Sequence, residues 1–146
     1  MPAASDRPVE IANRLRPVLL HLNRHLRREV HTSDVSPGQL SLLGLIAGNP
    51  GIGVAELASR EGTSMPSVCG HIDRLEASGL VTRRQAERDR RRVDLEVTAE
   101  GRRVLKVIRS KRTAWLSARL GKLPETDLAA VAAAIAPLQA LLEQAE

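Results

Sequence analysis

The chain has 146 residues, with 22 Lys+Arg against 17 Asp+Glu and a formal charge of +5, which is room for one domain or one domain with an appendage. A hydrophobic fraction of 42% and a charged fraction of 27% suit a folded chain that buries roughly 70% of its unfolded surface, and they exclude disorder throughout. Trp115 is the only aromatic, so modules that stack unpaired bases on several rings are excluded, and nucleic-acid binding by this basic chain would mean a duplex.

Apolar residues at steps of three and four (Ile11, Leu15, Val18, Leu19, Leu22, Leu26) predict a first helix over about residues 8 to 31. Asp6 is its expected cap and Pro8 lies in its first turn. Pro17 removes one backbone donor inside the pattern, so a kink is expected rather than a break, because the stripe keeps its phase. Ser36-Pro37 starts a second helix carrying Leu40, Leu42, Leu43, Leu45 and Ile46, and Gly48-Asn49-Pro50-Gly51 ends it. A short third helix runs from about Val54 to Arg60. After the Glu61-Gly62-Thr63 turn, Ser64 caps a fourth helix of about residues 65 to 78. Two short helices joined by a glycine-containing turn have the form of a helix-turn-helix. On the fourth helix, Val68, Ile72 and Leu75 fall within about 60° of one another and form its buried face. Pro66, Ser67, Gly70, Asp73 and Arg74 lie opposite, with Cys69 and His71 on the flanks.

After Gly79 the period becomes two. Leu80, Val81 and Thr82 lead to an arginine-rich tip, and Val93, Leu95 and Val97 return from it, which predicts a two-stranded hairpin. Thr98 caps a fifth helix that Gly121-Lys122-Leu123-Pro124 closes. A sixth begins near Glu125 and carries Leu128, Val131, Ile135, Leu138, Leu141 and Leu142, with a second kink expected at Pro137. The fold expected is mainly α with a small β-hairpin wing. Residues 1–35 form an N-terminal dimerisation helix, 36–98 a winged helix-turn-helix lobe, and 99–146 C-terminal dimerisation helices. The terminal helices carry more apolar surface than one small lobe can cover.

Between Arg83 and Arg92 stand six arginines against Glu87 and Asp89, a local balance of +4. Runs of charge are commonly solvated loops. This one directly follows a helix-turn-helix, and guanidinium groups suit phosphates and narrow minor grooves, so the tip is expected to touch DNA.

Three stretches carry a resemblance: Val54-Ala55-Glu56-Leu57-Ala58, the run from Ile72 to Val81, and Asp89-Arg90-Arg91-Arg92-Val93-Asp94-Leu95-Glu96-Val97-Thr98. The last matches a D-x-R-x-x-x-L-x-[LV]-T wing pattern. In this order and spacing they resemble the MarR family of winged-helix transcription regulators over nearly the whole chain. The resemblance implies a homodimer, with the first, fifth and sixth helices interleaved, on a pseudo-palindromic double-stranded operator, and a repressor released by a small ligand or by oxidation. It makes Arg91 the minor-groove residue and Asp89 its orienting partner, with Arg90 and Arg92 as phosphate neighbours; Arg83 and Arg84 join the DNA-binding set. The fourth helix departs from the family's common Ser-Arg pair, having Cys69-Gly70 instead, so base readout leans on Ser64, Ser67, His71 and Arg74. The family's effector pocket implies His21, His25 and Arg28 as anchors for an anionic aromatic ligand.

Other readings are weaker. Cys69 permits no intramolecular disulfide and no multi-cysteine zinc site. A redox-responsive regulator acting through Cys69 is an alternative, against the simpler reading of a small packing residue. His21 and His25 at i, i+4 lack a local carboxylate or cysteine partner, so no metal and no cofactor is expected. There is no phosphate-binding glycine loop and no nucleophile elbow to suggest an enzyme. A non-specific architectural DNA binder is the remaining alternative. The opening segment lacks a signal peptide's apolar stretch, and no later segment has eighteen apolar residues without charge. A cytoplasmic protein without membrane contact is therefore expected.

Overall fold

The computed structural model describes residues 6–29, 35–89 and 91–144. The elements in order are α1 (Asp6–Arg28), α2 (Pro37–Gly48), α3 (Val54–Glu61), α4 (Met65–Ala77), β1 (Val81–Gln85), β2 (Val93–Val97), α5 (Ala99–Leu120) and α6 (Glu125–Glu143). The chain divides into two compact units, residues 1–111 and 112–146, with the division falling inside α5.

In the first unit, α2, α3, α4 and the hairpin enclose one core. Leu42, Leu43 and Ile46 of α2 meet Leu57 and Ala58 of α3, Val68, Ile72 and Leu75 of α4, and Leu80, Val81, Leu95 and Val97 of the hairpin. Caps hold the helices in place. Ser36 Oγ accepts from Gln39 N at 3.2 Å at the start of α2, and Gly62 ends α3 in the left-handed region with φ +65°, a backbone conformation that glycine adopts without strain. β1 and β2 pair antiparallel, Val81 opposite Val97 and Gln85 opposite Val93. The sheet has the two strands expected, and an isolated bridge between Ile52 and Leu95 pins the segment before α3 to β2. Thr98 both caps α5, accepting from Gly101 N at 3.0 Å, and donates its hydroxyl to Gly79 O at 2.6 Å. One side chain thereby ties the end of the α4 segment to the start of α5.

α1 begins at Asp6 rather than after it, which makes Asp6 a first-turn carboxylate at the positive helix end instead of a cap. The helix ends at Arg28; the last two residues of the expected helix, Val30 and His31, lie outside the described residues. Pro17 and Pro137 both sit inside continuous helices. No side chain of α1 is buried. In the second unit Trp115 is buried, with the Arg119 guanidinium 3.8 Å from its ring centroid and donating to Trp115 O at 3.1 Å. α6 is long and apolar enough to span a membrane by length and composition, with a mean hydropathy of 1.3 over its most apolar window, and none of it is buried.

Candidate nucleic-acid interface

α4 turns Val68, Ile72 and Leu75 wholly into the core. Its opposite face is open. Gly70 has nothing within 4 Å of where a Cβ would stand, so bare backbone is presented there. Ser67 and Arg74 are exposed on the same side. Ser64 is engaged as the N-cap, its Oγ accepting from Ser67 N at 3.4 Å. His71 is half-buried and turned inward: its Nε2 stands 3.0 Å from the position of a Cβ on Gly38, and its Nδ1 is buried without a hydrogen-bond partner. Cys69 is half-buried on the flank.

The hairpin separates its arginines by task. Arg83 faces back onto α4 and donates to Asp73 Oδ1 at 2.6 Å and Glu76 Oε1 at 3.2 Å. The hydrogen bond to Asp73, and then the charge of Glu76, hold its guanidinium pKa above the ordinary value. Arg83 is therefore a strut between the wing and α4. Arg84 lies 3.5 Å from Glu96 and remains 72% exposed, and Arg92 lies 3.5 Å from Asp94. At the tip, Asp89 Oδ1 accepts from Arg91 N at 3.0 Å and Asp89 O accepts from Arg92 N at 3.0 Å. Ala86 N donates to Arg92 O at 2.9 Å and closes the turn. Asp89 thus shapes the backbone on which Arg91 stands, as an aspartate whose carboxylate bonds two residues on does in an Asx turn. Arg90 lies outside the described residues.

Two further features lie beyond what the sequence motifs single out. A cleft of about 470 Å³ is lined by Gly53, Val54, Ala55 and Glu56 of the α3 start together with Arg91, Arg92 and Val93. Gly53 caps α3 without a side-chain bond, so the positive helix end and two wing arginines share one recess. The second is charge. Residues 99–112 hold Arg102, Arg103, Lys106, Arg109, Lys111 and Arg112 against Glu100 alone, a balance of +5 that exceeds the +4 of the wing. Arg102, Lys106 and Arg109 recur at helical spacing and are exposed on α5. Their signal in the sequence is the basic run itself, which lies outside the hairpin.

On α1, His21 and His25 are paired, with Nε2 atoms 3.2 Å apart. Arg28 is exposed at the end of the same helix.

An open recognition helix beside a positively charged hairpin, both braced on one small core, defines a winged helix-turn-helix DNA-binding protein. The MarR family model matches residues 33–92. An uncharacterized HTH-type transcriptional regulator of Mycobacterium bovis is 32% identical over 122 residues, covering 84% of this chain and 85% of that protein. A putative transcriptional regulator of Pseudomonas aeruginosa of known structure is 32% identical, with a TM-score of 0.80 over 98% of this chain and 99% of its own. A 19% identical structure, FabT of Streptococcus pneumoniae in complex with DNA, shares the fold with a TM-score of 0.71 over 94% of this chain and 98% of its own. The chain belongs to the MarR family: it is a DNA-binding transcriptional regulator, not an enzyme.

Proposed function

We propose that this regulator binds a pseudo-palindromic operator in double-stranded DNA as a homodimer and represses until a small ligand releases it. The observation that carries the reading is the open α4 face set beside a wing whose base Arg83 locks to that same helix. In the reading, α4 enters the major groove with Ser67 and Arg74 outward. Ser64 presents the helix start, and His71 supports it from the Gly38 side. Arg91 enters the minor groove on the turn that Asp89 shapes, with Arg84, Arg90 and Arg92 at phosphates and Arg83 holding the wing in register. FabT's complex with DNA is a precedent on the same fold.

The dimer is supported by apolar surface that a single copy leaves in water. On α1, Val18, Leu19, Leu20 and Leu22 are 40–57% exposed, and on α6, Val131, Ile135, Leu141 and Leu142 are 43–71% exposed. Residues 1–35 and 99–146 would supply that interface around the 36–98 lobe, with recognition helices about 34 Å apart. This role also accounts for an apolar α6 without a membrane. A small anionic aromatic effector would meet α1 at His21, His25 and Arg28, with Arg28 carrying the charge.

Footprinting on random genomic fragments tests the core of the proposal. Protection of a short inverted repeat is expected. Diffuse protection without sequence preference would instead identify an architectural coat protein.

A further inference from the structure

The histidine pair on α1 has a geometry that its spacing alone does not reveal. His21 Nε2 and His25 Nε2 lie 3.2 Å apart, while the ring centroids stand 4.8 Å apart. The nitrogens are therefore the near edges of the two rings. Two metal–nitrogen bonds of about 2.05 Å span about 2.9 Å at a right angle and about 3.3 Å at a tetrahedral angle. The observed separation falls between these limits, so the spacing of the two nitrogens suits a single ion.

We propose that His21 and His25 form a two-nitrogen chelate for a late first-row transition-metal ion, copper(II) foremost, clipped across one turn of α1. In the metal-free pair, one neutral ring donates its Nε2 proton to the Nε2 lone pair of the other. A cation engages both Nε2 lone pairs at once when each ring carries its proton on Nδ1, the proton that bridged the two Nε2 atoms passing through solvent to Nδ1 of the donor ring.

Imidazole nitrogen suits copper, nickel and zinc, and among divalent ions of this series copper binds such ligands most strongly. No group of three or more His, Cys, Asp or Glu able to hold a metal occurs among the described residues. Among the described residues no closed four-ligand zinc site is formed, and water completes the coordination of an ion held by the two rings. Because both ligands sit on one helical turn, a bound ion fastens that turn and stabilises the folded chain by mass action.

The test uses copper(II) chloride and the full-length protein without DNA or effector, so its failure leaves the regulator reading untouched. Calorimetric titration at neutral pH is expected to show one ion per chain in the wild type. His21→Asn and His25→Asn should each weaken binding at least tenfold, while His71→Asn leaves it within twofold. Copper should raise the thermal midpoint of the wild type and not that of either α1 variant. Electron paramagnetic resonance of the wild-type complex, which needs no variant to fold, should show two nitrogen ligands. Tight copper binding that survives His25→Asn, or a spectrum with a single nitrogen, would overturn the assignment.

Discussion

Of the ten glycines, Gly101 leaves the least room for a side chain. A Cβ added there would stand 2.3 Å from Leu80 O and 2.6 Å from Val97 Cγ1, well inside the roughly 3.5 Å at which carbon contacts become favourable. A flexible side chain would yield, but Leu80 O is backbone and already accepts from Thr98 N at 3.0 Å. Moving it strains the same junction at which Thr98 binds Gly79 O. Overpacking of this kind costs about 1–3 kcal/mol, and an obstacle fixed on two sides places Gly101→Ala near the top, at about 3 kcal/mol. Alanine's advantage over glycine in a helix returns up to about 1 kcal/mol, which leaves a net loss of about 2 kcal/mol. For a chain of this size that lowers the thermal midpoint by about 4–8 °C. Urea unfolding at one fixed chain concentration should show a lower midpoint with an unchanged slope. Gly44→Ala is the control: it lies within α2, where an added Cβ meets nothing within 4 Å, and it should stabilise by about 0.5–1 kcal/mol. Gly101→Ala unfolding at or above the wild-type midpoint would refute the close-packing argument.

Arg91→Ala should weaken specific operator binding by about 1–3 kcal/mol at matched salt and reduce the salt slope by about one; unchanged affinity in fluorescence anisotropy would remove Arg91 from the minor groove. Arg83→Ala should leave the salt slope unchanged, because its guanidinium is committed to Asp73 and Glu76, and should cost under about 1 kcal/mol of stability, as partly exposed pairs do. Asp89→Ala removes the acceptor for Arg91 N and should lower operator affinity, while Asp89→Asn, which keeps a side-chain oxygen, should bind closer to wild type; equal losses in both would show that the charge and not the turn matters. Glu100, whose pKa is held down by its hydrogen bond from Arg103, adds to stability above the ordinary carboxylate range and loses that contribution as pH falls through its lowered value. Glu100→Gln should accordingly flatten the acid limb of the thermal-stability profile slightly, and an unchanged limb would show the pair to be inert.

Much of this molecule is legible in the order of its residues. The buried face of α4, the Ser36 and Ser64 caps and the Thr98 cap are local matters, set by a 3.6-residue period and by side chains that reach backbone two or three positions away. The arginine-rich wing was visible too, because charge and alternation are properties of short windows.

What residues far apart in sequence do to one another became apparent only in three dimensions. Arg83 looked like its neighbours until folding set it against Asp73 and Glu76, ten and seven positions earlier. His71 sat on a helix flank by phase, yet the approach of α2 turned its ring onto Gly38. An isolated bridge pairs Ile52 with Leu95, more than forty residues away, and Gly101 has no room for a Cβ because Leu80 and Val97 close around it. Local patterning determines which residues form helices, caps and turns; packing decides which identical side chains stay open to solvent and which hold the scaffold, because that choice rests on distances no linear spacing contains.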